Sequence, residues 1–117
     1  MKILGIGVDL IENKRISNLI NNKSFIKRTF GKREVNLAKK FSNKINYFAK
    51  RFAAKEAFAK SLGTGFRNNL NFKDIEILND KIGKPYFSKS KKINQIINKK
   101  FKIKKFDLFL SITDEKD

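Results

Sequence analysis

Leu4, Ile6, Val8 and Leu10 alternate with Gly5, Gly7 and Asp9 at the start of the chain, and a period of two predicts a half-buried strand over residues 2–10. The period then lengthens. Over residues 12–22, Ile16, Leu19 and Ile20 recur at helical spacing, with Lys14, Arg15 and Lys23 turned outward. Phe25, Ile26 and Phe30 read as a packed connecting segment, and Val35, Ala38 and Phe41 predict a second amphipathic helix over 32–41. The strongest helical signal runs through residues 51–62, which contain no Gly or Pro, and Gly63 is placed to cap it. At about 100° per residue, Ala54, Phe58 and Leu62 form its core stripe, with Ala49, Ala53, Glu56, Lys60 and Gly63 roughly opposite. Residues 72–78 read as a strand, 79–85 as a turn, and Tyr86 and Phe87 as the start of the return strand. Ile93, Ile96, Ile97 and Phe101 give a further helix face, and Phe106, Leu108, Leu110 and Ile112 alternate as a last strand.

The order β-α-α-α-β-β-α-β predicts an α+β fold with antiparallel strands. The 117 residues suit one domain spanning 1–117 around a modest core. No apolar run approaches the length of a membrane span, so no membrane association is expected. The first residues lack the features of a signal peptide, and with no cysteine the default location is cytoplasmic. Lacking Cys and His alike, the chain offers few soft metal ligands, so any metal is a hard cation on oxygen, Mg2+ or Mn2+.

The net charge of +17 calls for anionic partners. Lys greatly outnumbers Arg and the excess is spread over every element, so it gives the sign of the partner rather than its identity. No RNA-reading motif accompanies it, and no nucleic acid is expected.

Two stretches carry candidate chemistry. Gly5 and Gly7 clear a track beside Asp9, which reads either as an N-cap for the next helix or as a working carboxylate. Glu56 and Lys60 lie one turn apart among residues with almost no side chain. They read either as an ordinary ion pair on a solvated face or as a carboxylate and an amine with room for a ligand. Gly63, Thr64 and Gly65 form a loop that either stops the helix or turns backbone N–H groups toward a phosphate.

Three separated stretches together resemble one family. Gly5-Ile6-Gly7-Val8-Asp9-Leu10-Ile11-Glu12, then Arg51 to Lys60 with Leu62-Gly63-Thr64-Gly65, then Gly83-Lys84-Pro85-Tyr86 are similar in order and spacing to holo-acyl-carrier-protein synthases, the small bacterial class of 4′-phosphopantetheinyl transferases. The resemblance implies an antiparallel sheet packed against helices and a homotrimer with active sites between subunits. It implies transfer of phosphopantetheine from coenzyme A to a serine of acyl carrier protein, releasing adenosine 3′,5′-bisphosphate, in fatty acid biosynthesis. Asp9 and Glu56 would then bind Mg2+, and Lys60 would contact the phosphate. Arg51, Gly63, Thr64, Gly65, Gly83, Lys84 and Pro85 would line the coenzyme A cleft, and Arg15 would dock the acidic carrier protein. Two features depart from the family: Asp114 stands where a His is usual, and family chains continue with another apolar strand beyond the last residue here. The competing readings are a basic RNA-binding protein without enzymatic activity and an inactive relic of the synthase.

Overall fold

One helix of 18 residues, α4 (Lys44–Ser61), runs through the computed structural model, which describes residues 2–63 and 69–113. It starts earlier than the pattern predicts because the Asn43 side chain accepts a hydrogen bond from the Asn46 N–H at 3.0 Å. That cap satisfies a first-turn donor that would otherwise face no acceptor. The extra turns bring Tyr47 and Phe48 into the core. At the other end Gly63 adopts φ +79, a left-handed conformation suited to glycine, and its N–H closes on the Lys60 carbonyl at 2.9 Å.

Two apolar clusters form along α4. Its first half packs Tyr47, Phe48, Ala49 and Phe52 against Ile16, Phe25, Phe30 and Ala38. Its second half packs Phe58 and Leu62 against Leu70, Ile75, Ile93 and Ile97. Ala54, Phe58 and Leu62 are all buried, as the core stripe requires, but Ala49 is buried too, 2% exposed rather than on an open face.

Around α4 lie α1 (Asn13–Ser17), α2 (Lys23–Thr29) and α3 (Lys32–Leu37), the last continued by a 3-10 turn at Ala38–Lys40. α1 is shorter than the predicted helix over 12–22. The segment at Phe25 and Ile26, read as a connection, is helical because Asn22 caps it, accepting from the Phe25 N–H at 3.1 Å. Residues 72–78 are only partly strand. The Asp74 carboxylate accepts from the Asn71 N–H at 2.8 Å, which holds Phe72–Asp74 in a 3-10 turn. β1 (Ile77–Asn79) then pairs antiparallel with β2 (Pro85–Phe87) in the register Ile77 to Phe87 and Asn79 to Pro85. α5 (Lys91–Phe101) follows, capped by the Ser90 hydroxyl, and buries Ile93 and Ile97.

The predicted terminal strands differ most. Among the described residues, β1 and β2 form the one ladder, and neither 2–10 nor 106–112 pairs as a strand. The faces of the first segment are also reversed: Ile6, Val8 and Leu10 are 81%, 78% and 92% exposed, while the glycine face lies on α4. The cause is close backbone approach. A Cβ on Gly5 would overlap the Ser61 carbonyl oxygen, and one on Gly7 the Ala57 carbonyl oxygen. In the last segment Phe106 and Leu108 pack on the second cluster, whereas Phe109 is exposed.

Candidate active site

The seating of Gly5 and Gly7 on α4 carries Asp9 to the face that holds Glu56 and Lys60. Lys60 donates to the Asp9 carboxylate at 2.5 Å and approaches the Val8 carbonyl at 3.4 Å. So Lys60 is paired with Asp9, across 51 residues of sequence, rather than with Glu56 one turn away. Asp9 is not an N-cap, because α1 starts after Glu12. Glu56 is half-buried, and burial, followed by the negative charge of Asp9, pushes its carboxyl above the usual range; Arg15 and Lys60 act in the opposite direction. The Asp9 hydrogen bond and charge raise Lys60, which is itself open to solvent.

Asp9, Arg15, Glu56 and Lys60 are therefore one electrostatic cluster. Arg15 is exposed, with its guanidinium 5.5 Å over the Phe52 ring, and it borders an open groove with Leu10, Ile11 and Glu12. The donor set suits a hard divalent cation. The charge of Asp9, on a separate segment, reaches Glu56 strongly enough to raise its pKa, and a cation between the two carboxylates would relieve that repulsion. The described residues contain no cluster of three or more candidate ligands, so such an ion would complete its shell with water and substrate oxygens.

The remaining candidates lie elsewhere. Gly63 is exposed at the end of α4, and Thr64 and Gly65, like Asp114, lie outside the described residues. Gly83 has φ +87 with open space where a side chain would stand, Lys84 is exposed, and Pro85 begins β2. Arg51 is not at the surface. It is 4% exposed, its guanidinium 3.7 Å from the Tyr47 ring centroid, and it donates to the Asn79 side chain in β1. Burial lowers its pKa, and the ionisable groups around it are Tyr47 and Glu34, whereas those around Glu56 are Asp9, Arg15 and Lys60. A phosphate contact from Arg51 does not fit this placement. The helical period gives the reason, since at 100° per residue Arg51 falls on the same arc as Phe58 and Leu62.

The sequence reading missed a buried ion pair. Lys55 donates to the Glu34 carboxylate at 2.6 Å, with both side chains fully buried, and also to the Phe72 and Ile75 carbonyls. The other Glu34 oxygen accepts from the Ile77 N–H at 3.0 Å, and the first also from the Gly31 N–H. This pair ties α3 and the start of β1 to α4. The signal was present: Lys55 lies inside the arc of Phe48, Phe52, Phe58 and Leu62, where a lone cation needs a buried partner.

No helix among the described residues is long and apolar enough to cross a membrane. The chain is 60% identical over 116 residues to the holo-[acyl-carrier-protein] synthase of Pelagibacter ubique, covering 99% of this chain and 91% of the relative. Its fold superposes on the crystal structure of holo-[acyl-carrier-protein] synthase from Neisseria meningitidis with a TM-score of 0.77 at 37% identity, covering 86% of this chain and 82% of the other. It also superposes on the Helicobacter pylori enzyme in complex with coenzyme A, with a TM-score of 0.70 at 30% identity and 80% of each chain covered. The sequence profile of the 4′-phosphopantetheinyl transferase superfamily matches residues 5–110, and the chain belongs to that family, as an enzyme of its holo-acyl-carrier-protein synthase branch.

Proposed function

We propose that the chain transfers 4′-phosphopantetheine from coenzyme A to a serine of acyl carrier protein with the help of Mg2+, in the cytoplasm, as a step of fatty acid biosynthesis. The observation that carries this reading is the meeting of Asp9 and Glu56 beside Lys60, built by two glycines that serve no apolar packing. Relatives bound to coenzyme A support the choice of donor.

The serine oxygen attacks the phosphorus that carries pantetheine. A new P–O bond forms, the bond to the second phosphate breaks, the serine proton passes to water, and adenosine 3′,5′-bisphosphate departs with the bonding electron pair. Such a transfer needs positioning and charge neutralisation more than an elaborate nucleophile. Mg2+ held by Asp9 and Glu56 would neutralise the pyrophosphate oxygens when bound. Lys60, free to turn from Asp9 toward solvent, supplies an ammonium for charge that develops on the transferred phosphate. Gly63 to Gly65 and Gly83 to Pro85 would line the donor, and Arg15, beside the groove at Leu10 and Glu12, would meet the acidic carrier.

We place the working site between subunits of a homotrimer. The exposed row of Ile6, Val8 and Leu10, with Phe109, is what a neighbouring copy would cover. Contact between copies would also join the Asp9–Glu56 cluster to the turn at Gly83.

The deciding experiment incubates the protein with coenzyme A, Mg2+ and apo carrier protein and reads intact mass. A carrier gain of one phosphopantetheine, lost on chelation and in Glu56→Gln, is the expected result. An unmodified carrier at high enzyme would refute the reading and favour the inactive relic.

A further inference from the structure

Arg51 couples the body of the molecule to a turn. Its guanidinium lies over the Tyr47 ring, 3.7 Å from the centroid, with the Phe41 ring on the same side at 5.6 Å, and it reaches the Asn79 carbonyl oxygen through Nη2. The Asn79 amide in turn donates to the Gly83 carbonyl at 2.9 Å. The turn is otherwise closed on itself. Asp80 accepts from the N–H groups of Ile82 and Lys84 at 3.0 and 2.8 Å, and donates its own N–H to the Lys84 carbonyl at 2.9 Å. Those bonds shape the turn but do not fix where it stands. Beyond the short β1–β2 ladder and the Phe58–Phe87 ring contact at the base of the hairpin, a single Arg51 hydrogen bond ties the turn to α4. The result is a turn whose Gly83 stands open at φ +87 with Lys84 beside it.

We infer that Arg51 is a positioning residue for coenzyme A: it holds the 83–85 turn in place through Asn79 and does not itself touch the nucleotide. This rests on the proposed use of that turn as a wall of the coenzyme A cleft. A guanidinium 4% exposed cannot meet a phosphate without unstacking from Tyr47, whereas Gly83 and Lys84 are free to do so. Arginine suits the role because its planar fork stacks on a ring and donates at once, which a lysine cannot do.

The test is a double-mutant cycle of Arg51→Met and Asn79→Ala. It measures KM for coenzyme A, for 3′-dephospho-coenzyme A and for the carrier, with hydrogen exchange of residues 80–84 in each protein. Loss of one charge-assisted hydrogen bond predicts a rise of roughly ten-fold in KM for coenzyme A. The same factor is expected with the dephosphorylated donor, with no change for the carrier. The double variant should be no worse than the single ones, and the Ile82 and Lys84 amides should exchange faster. Additive effects, a penalty that vanishes with 3′-dephospho-coenzyme A, or unchanged exchange in the turn would each overturn the inference in favour of direct contact. Should Arg51→Met fail to fold, Arg51→Lys and Asn79→Ala give the same comparison. If the wild type loads no carrier, the functional reading fails by itself, and the exchange measurement alone decides whether Arg51 holds the turn.

Discussion

Lys55→Met is the perturbation whose size the structure fixes best. Methionine keeps most of the length of the lysine stem but removes the ammonium, which lies 5.4 Å over the Phe30 ring. Glu34 would then keep two backbone donors, Gly31 and Ile77, and lose the buried ammonium that hydrogen-bonds to it. Both side chains are 0% exposed, so solvent cannot take over. Breaking a buried pair from one side costs about 3–5 kcal/mol, because the remaining charge is left uncompensated. For a domain with a total stability of about 5–15 kcal/mol that is a large share. Urea unfolding followed by circular dichroism should show a midpoint lower by about 2 M at an m-value near 2 kcal/mol/M.

The penalty should depend on pH, with a definite sign. Burial raises Glu34, and its largest opposing influence is the charge of Lys55. Between its ordinary value of 4.5 and its raised folded value, Glu34 binds more protons folded than unfolded. Stability contributed by this group therefore falls as pH climbs through that window. Removing Lys55 widens the window upward, so the gap between wild type and Lys55→Met should be full at neutral pH and narrow as pH falls toward 4.5. Glu34→Gln combined with Lys55→Met should cost less than Lys55→Met alone, since no charge is left stranded. A gap under about 1 kcal/mol that does not change between about pH 5 and 8 would refute the reasoning and mean that Glu34 reaches water.

Gly7→Ala should lower both Tm and transfer activity, because its Cβ would overlap the Ala57 carbonyl and push the Asp9 segment off α4; activity intact at wild-type Tm would contradict this seating. Arg15→Glu should raise KM for the carrier and leave that for coenzyme A nearly unchanged, with added salt weakening the wild type in the same way. Val8→Asp, on a residue 78% exposed, should not unfold the subunit, yet it should break the proposed trimer and leave the variant sedimenting as a monomer. Lys60→Ala should lower kcat strongly with coenzyme A affinity comparatively kept, whereas an idle surface pair with Asp9 would leave kcat near normal.

The helices and the hairpin were legible because their signals are local. The stripe of Ala54, Phe58 and Leu62 and the turn residues between β1 and β2 lie within a few positions of what they control, whereas the caps at Asn22 and Asn43 went unread, so α2 passed for a connection and α4 began two turns early. Residues 2–10 and 106–112 were legible as alternating segments but not in their pairing. A period of two says that two faces differ, and apolar burial is the usual reason. Here the glycine face was the one that packed, since only residues without a Cβ let two backbones come that close. The apolar face stayed outside, and its partner is not encoded in any local pattern.

The site divides along the same line. Asp9, Glu56 and Lys60 could be selected by their clear surroundings, but not the pairing of Lys60 with Asp9 in place of Glu56. Intrahelical spacing favours Glu56 at i−4, yet Asp9 sits beside the helix and takes the ammonium from across the chain. That exchange has a chemical consequence. Two carboxylates and two cations, Asp9 and Glu56 with Arg15 and Lys60, leave the cluster close to neutral at rest. A divalent cation and a pyrophosphate entering together preserve that balance, while either one alone disturbs it. The physical expectation is cooperative binding: Mg2+ should tighten coenzyme A binding, and coenzyme A should tighten Mg2+ binding by the same factor, because the coupling is reciprocal. Calorimetric titration of each in the presence and absence of the other measures that factor, and independent binding would mean that the cluster does not act as one electrostatic unit.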